Sequence, residues 1–239
     1  MDSRYNEITF VQKYIGVWAF GYLNNSGESE SVYRTISSLA AEYIQERIAG
    51  IHILEIGCGV GRTSFDLAKI YPNATIKAID KSAMMIDYAN KINTSFFKDK
   101  RISIQNSGFK NLIFPSYNFS NIDFENVAFE EYRADKKFDL IVNVNFLDRC
   151  EELPVVINKF KELITNDGHI IGCTPLNFRN PNWQTHSNIE LLKEEFNKCG
   201  LEIVLDFDNL IYRELLDTRG AHEEYKVYCF VAKRRNEDN

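Results

Sequence analysis

Apolar positions along the chain change their period near residue 50. Before it they recur every three or four residues: Ile8, Val11, Ile15 and Trp18 between residues 5 and 20, then Val32, Ile36, Leu39, Ala40, Tyr43 and Ile44 between residues 31 and 48. This spacing predicts two helices, separated by Asn24-Asn25-Ser26-Gly27 and closed by Gly50. After residue 50, short apolar runs alternate with helical patterns. Strands are expected at 51–56, 74–79, 138–144, 168–173, 201–207 and 225–232, and helices at 60–71, 82–93, 153–165 and 188–199. Ser82 is placed to cap its helix. Such alternation predicts an α/β fold, a mostly parallel sheet with helices on both faces. Between residues 96 and 137 the alternation fails. A small β insertion is expected there, within about 100–125, leading into the missing third strand at 126–132. The chain thus divides into a helical cap or lid, 1–50, and an α/β domain, 51–239.

The first strand runs directly into three glycines at alternate positions, Gly57, Gly59 and Gly61. A glycine turn between strand and helix lets a ligand press on the backbone because no Cβ intervenes, and the helix start behind it offers free N–H groups. A nucleotide-type site is therefore expected. The dinucleotide pattern needs a glycine at the sixth position from Gly57, and Arg62 stands there. Asp80 ends the second strand, 19 residues after Gly61. A carboxylate so placed either accepts both hydroxyls of a ribose or stands as an acid at the start of the next helix.

Leu54-Glu55-Ile56-Gly57-Cys58-Gly59-Val60-Gly61 resembles motif I of the class I S-adenosylmethionine (SAM) methyltransferases, and Phe138 to Asp148 resembles their motif IV. The likeness covers about residues 51–232. It implies a Rossmann-like seven-stranded sheet with an antiparallel last strand, SAM as cofactor and S-adenosylhomocysteine (SAH) as product. It implies that the backbone of Gly57, Cys58, Gly59 and Gly61 cradles the methionine portion and ribose, and that Glu55 lies near the methionine amino group. Arg62 reaches the methionine carboxylate or is a surface charge. Lys81, Ser82 and Met85 belong to the adenine side, where Met85 packs on the base or in the core. The family presents an acid after the third strand; here no Gly-Asp pair occurs, and Glu131 or the backbone at Tyr132 takes that place. Asn143 and Asn145, at the end of the motif IV strand, face the ligand or are satisfied structural amides, and Phe146 adjoins the substrate.

Acceptor-side candidates come from two segments. Tyr14 and Trp18 lie four apart on one helix face, as a lid or as core packing; Tyr14 is a candidate proton acceptor and Trp18 a substrate contact. Asn177, Trp183 and His186 belong to the stretch after the fifth strand, where such sheets place substrate groups. His186 is a candidate base or a helix cap. Methyl transfer is a displacement that alignment alone accelerates strongly, so conspicuous acid–base residues are not required.

Size and charge narrow the function. The 239 residues suit one α/β domain with a cap. No apolar run approaches the ~18 residues of a membrane helix, and the N-terminal residues lack a signal-peptide core, so a cytoplasmic protein without membrane association is expected. Five cysteines, an odd number with no Cys-x-x-Cys, argue against a disulfide framework or zinc site, and no metal is expected. Net charge is −6, and the basic run Lys233-Arg234-Arg235 sits at the tail. A small-molecule substrate is favoured over nucleic acid, in a monomer or homodimer.

A narrower likeness exists. The insertion, Asn145-Phe146-Leu147-Asp148-Arg149, Thr174-Pro175 and residues 13–21 resemble mercaptohistidine N-methyltransferases of the ovothiol type. The chain departs after Pro175, where that family has an aromatic, acidic and Trp-Leu-Gly-Gly stretch. The expected function is SAM-dependent methyl transfer to an N, O or S atom of a small molecule, with an imidazole or histidine derivative implied by this likeness. The alternatives are a protein or nucleic-acid methyltransferase and a non-catalytic SAM-binding module.

Overall fold

The computed structural model describes residues 3–20, 28–44, 50–104, 109–216 and 221–235. The expected break at 24–27, the helix end at 45–48 and residues 105–108 of the insertion lie outside them. The chain enters through a 3-10 turn (Ser3–Asn6), helix α1 (Ile8–Lys13) and a π-helical turn (Tyr14–Ala19). Then come α2 (Glu28–Tyr43), β1 (His52–Ile56), α3 (Arg62–Ile70), β2 (Thr75–Asp80) and α4 (Ala83–Asn93). A hairpin, β3 (Arg101–Ile104) with β4 (Phe109–Ile113), precedes β5 (Ile122–Asn126) and β6 (Phe138–Val144). Helix α5 (Leu153–Leu163), β7 (Ile164–Thr174), α6 (Ile189–Lys198), β8 (Leu201–Leu215) and β9 (His222–Arg234) complete the order.

Seven strands form one sheet in the order β5-β2-β1-β6-β7-β9-β8. The first five are parallel and β9 runs antiparallel to both neighbours. This is the expected α/β architecture. The chain steps outward from β1 in both directions, to β2 on one side and β6 on the other, which opens a crevice at the carboxyl ends of the strands.

Successive residues of a strand point to opposite faces, so a sheet covered on both faces needs apolar residues at consecutive positions. Ile53, Leu140 and Val142 face α2 and α3, meeting Val32, Ile36, Leu67 and Ala68. Leu54, Ile56 and Ile141 face the other way, toward Ile157 and Phe160 of α5 and Phe196 of α6. Each such buried side chain contributes about 2 kcal/mol. Helix α2 is thus a layer of the sheet. The entry segment packs elsewhere: Val11, Ile15 and Trp18 join Phe65, Met85, Tyr88 and Leu112.

The third sheet strand lies earlier than expected. It is β5, Ile122–Asn126, paired with β2 from Ile76↔Ile122 to Asp80↔Asn126, inside the stretch expected to be insertion. Its alternation is the reason: Phe124 packs on Phe65, while Asp123 and Glu125 each reach Lys77 of β2 at 2.6 Å. Residues 127–132 turn inward instead, with Phe129 and Tyr132 buried. The last two strands are also longer than the expected 201–207 and 225–232, and pair with each other well past the end of β7.

Candidate active site

The crevice holds a cavity of about 800 Å³, entered by the ends of β1, β2 and β6 through Ile56, Asp80 and Val144. Its floor is the glycine turn. Gly57 and Gly59 have φ of 68° and 54°, a region that favours glycine. Gly57 and Cys58 donate their N–H groups to the Ile79 carbonyl at 2.9 and 3.0 Å, tying the turn to β2. A Cβ on Gly57 would sit 3.2 Å from the Phe146 ring, and one on Gly59 3.4 Å from the Tyr14 hydroxyl. Phe146 and Tyr14 therefore close on the turn, and both line the cavity.

Asp80 joins the turn to α4. Its Oδ2 accepts the Gly59 N–H at 2.9 Å and its Oδ1 the Ser82 N–H at 2.8 Å. A carboxylate oxygen offers about two lone-pair sites, so each keeps one for a ligand hydroxyl. Burial raises the Asp80 pKa, and the two backbone bonds and Lys81 oppose that rise. Ser82 caps α4, accepting the Met85 N–H at 3.2 Å and donating to the Tyr5 carbonyl at 2.8 Å. Lys81, Ser82 and Met85 all line the cavity.

Four motif I candidates are turned elsewhere. Glu55 is 3% exposed and receives the Ser64 hydroxyl of α3. Burial lifts its pKa to about 7, with bonds from Ser64 and Thr63 opposing. The Cys58 thiol is buried and held well above the ordinary value by that burial. Gly61, φ 83°, leaves room for β5: a Cβ there would meet the Phe124 ring at 2.7 Å. Arg62 binds Asp66 and the Ala19 carbonyl, each at 2.6 Å, and its guanidinium lies 4.7 Å from the Tyr33 ring centre. It fastens the entry segment and α2 to α3.

The adenine-side candidates are displaced with the third strand. Because β5 ends at Asn126, the residues that follow it into the cavity are Val127, Phe129 and Glu130. Glu131 is exposed and Tyr132 is core; neither lines the cavity. At the end of β6, Asn143 is fully buried with both amide atoms unbonded and does not reach the cavity lining. Asn145 does line it. Its φ is 53°, its N–H donates to Cys173 at 2.7 Å, and its Oδ1 is buried without a hydrogen-bond partner.

On the acceptor side, Tyr14, Phe146 and Asn177 line the cavity, whereas Trp18, Trp183 and His186 do not. Trp18 packs edge-on against Phe10 and Tyr14. Trp183 donates its indole N–H to the Glu151 carbonyl at 2.9 Å. His186 packs edge-on against Trp183, with Nε2 4.0 Å from Glu195. Burial, with Tyr33, Tyr212 and Tyr5 adding to it, keeps the Tyr14 hydroxyl protonated well above the ordinary tyrosine value. The Tyr14 hydroxyl is hydrogen-bonded to Tyr33, and Tyr14 is therefore not suited to take a proton at neutral pH. Sequence reasoning missed Arg149 and Arg179 beside the β6 and β7 ends, and Tyr212, Glu223 and Tyr225 on β8 and β9. Tyr212 and Glu223 lie outside the expected strands 201–207 and 225–232, Tyr225 opens the second of them, and the full length of β8 and β9 brings all three to the cavity.

A family model described as a methyltransferase domain matches residues 48–220. The chain belongs to that family, within the class I SAM-dependent superfamily. Curated relatives of this methyltransferase domain include the malonyl-[acyl-carrier protein] O-methyltransferase of Bacillus cereus, 24% identical over 190 residues, covering 79% of this chain and 60% of the relative. The enzyme of that name from Priestia megaterium is 38% identical over 147 residues, covering 62% and 44%. The chain spans about three fifths of the length of the first relative and less of the second. The structure of the N-methyltransferase NodS from Bradyrhizobium japonicum in complex with SAH superimposes with a TM-score of 0.57 at 15% identity, covering 99% of this chain and 100% of that one. A glycopeptide N-methyltransferase, MtfA, complexed with sinefungin gives 0.56 at 10% identity, covering 85% and 87%. At these identities the structural likeness establishes the fold. Among the described residues no helix is long and apolar enough to cross a membrane, and no group of three or more His, Cys, Asp or Glu side chains forms a metal site.

Proposed function

We propose that this protein is an enzyme that transfers the methyl group of SAM to a nitrogen, oxygen or sulfur atom of a small molecule. One observation carries the proposal: the glycine turn and the Asp80 carboxylate face the same cavity from adjacent strand ends. The residues fit the cofactor. The turn presents backbone without Cβ atoms, Asp80 keeps lone pairs for two ribose hydroxyls, and Met85, Val127 and Phe129 give an apolar wall for a purine. The volume suits a cofactor and a small acceptor together.

When bound, SAM supplies a methyl carbon activated by its sulfonium sulfur. The chain supplies alignment and exclusion of water. Phe146 and Tyr14 press on the turn. The named relatives are N- and O-methyltransferases, so the acceptor atom stays open in the proposal. An imidazole of a histidine derivative is its narrower form, supported by residues 145–149 and 174–175.

Calorimetric titration with SAM, SAH and NAD is the test. Binding of the two sulfur ligands without NAD is expected, followed by SAH release in the presence of small imidazoles, amines or phenols. Folded protein that binds neither sulfur ligand would overturn the proposal. Binding without release across acceptor classes would favour the non-catalytic module.

A further inference from the structure

Strand β9 leaves the sheet partway along. Its register with β7 stops at Thr174↔Tyr228, while its pairing with β8 continues from Leu210↔Val227 to Leu215↔His222. The outer halves of β8 and β9 thus form a two-stranded arm beyond the sheet. Lys13 reaches from the entry segment to the Leu216 carbonyl at its tip, at 3.4 Å. Strand alternation gives the arm two unlike faces. Glu223, Tyr225 and Val227 alternate along β9, and Tyr212 stands opposite Tyr225; all four line the cavity. On the other face Arg213 pairs with Glu224 at 2.8 Å.

The inward face holds a carboxylate, Glu223. It accepts the Tyr225 hydroxyl, which orients it. The opposite wall differs. There the buried Asp148 carboxylate lies beside both Arg149 and Arg179: its Oδ2 is 3.3 Å from Arg149 Nε, and the two arginines oppose the rise in its pKa that burial causes. One carboxylate against two guanidiniums leaves that wall basic, whereas the inward face of the arm carries the Glu223 charge. Tyr212, 5% exposed, and Tyr14 line the same cavity, and tyrosine rings attract organic cations.

We propose that this face of the arm receives the cationic end of the methyl acceptor: an organic ammonium seated against the Glu223 carboxylate and the rings of Tyr212, Tyr225 and Tyr14. The proposal rests on the cavity being the methyl-transfer site. The carboxylate is exposed at the mouth, so it keeps part of its hydration and discriminates by charge without a large desolvation cost.

The test uses the full chain saturated with SAH, titrated calorimetrically with phenethylammonium, 2-phenylethanol and 3-phenylpropionate, which share a ring and differ in the charge of the other end. The ammonium is expected to bind about tenfold more tightly than either of the others, equivalent to about 1.4 kcal/mol. Glu223→Gln should abolish that preference, and Glu224→Gln, on the outward face, should keep it. Equal affinities, preference for the carboxylate, no ammonium binding, or a preference that survives Glu223→Gln would each overturn the proposal. SAH binding is read first in every variant. Its loss in the native chain would overturn the methyltransferase proposal, whereas normal SAH binding without ammonium preference would overturn only this one.

Discussion

Replacing Glu55 by Gln should make the protein more stable at neutral pH and should flatten part of its stability profile. The carboxyl is buried beneath α3, and its pKa rises from an ordinary 4.5 to about 7, chiefly through desolvation. Each unit of difference between folded and unfolded states corresponds to about 1.4 kcal/mol, so the full effect is about 3 kcal/mol. The sign follows from proton binding. The folded state holds this proton more tightly than the unfolded state does. Below about pH 4.5 both states are protonated and the group costs nothing; as pH rises to about 7 stability is lost, and above it the whole penalty stands. Glutamine fills the same space, carries no charge, and still offers an oxygen to the Ser64 hydroxyl. Urea unfolding of both proteins from about pH 5 to about pH 8 measures the difference, in which every other titrating group cancels. The gap should widen with pH by up to about 3 kcal/mol in favour of the variant. Parallel profiles would show that Glu55 is not buried with a raised pKa and would refute the reasoning.

Two further outcomes follow from packing and hydrogen bonding. Asp80→Ala should weaken SAH binding by at least about tenfold, since it removes a charged acceptor for ligand hydroxyls and releases the Gly59 and Ser82 N–H groups; unchanged affinity by calorimetry would dismiss the ribose role. Gly172→Ala should destabilise the sheet by about 1–3 kcal/mol or more, because its Cβ would fall 2.1 Å from Cζ of the buried Phe230 ring on β9. A urea midpoint matching the native chain would show that the Phe230 ring moves aside freely.

The sequence by itself determined the architecture and pointed to part of the candidate site's lining. Parallel strands covered on both faces must be apolar at consecutive positions, and the helices between them must repeat every three or four, so these elements were legible residue by residue. The glycine turn, Asp80 and the Ser82 cap were legible for the same reason: their chemistry lies within a few residues of chain. Glu55, Gly61 and Arg62 share that local motif, yet tertiary structure assigned them to α3, β5 and the entry segment, because a side chain's direction depends on what packs against it. The third strand was misplaced because Val127, Ala128 and Phe129 form the more apolar run, while β5 is an edge strand whose alternate acids are held by Lys77 on its neighbour. That shift moved the residues after it into the cavity and left Glu131 and Tyr132 outside. Only the folded chain could bring Arg149, Tyr212, Glu223 and Tyr14 to one cavity, since they are far apart in sequence and their meeting follows from sheet order and from the length of an arm that local pattern does not encode.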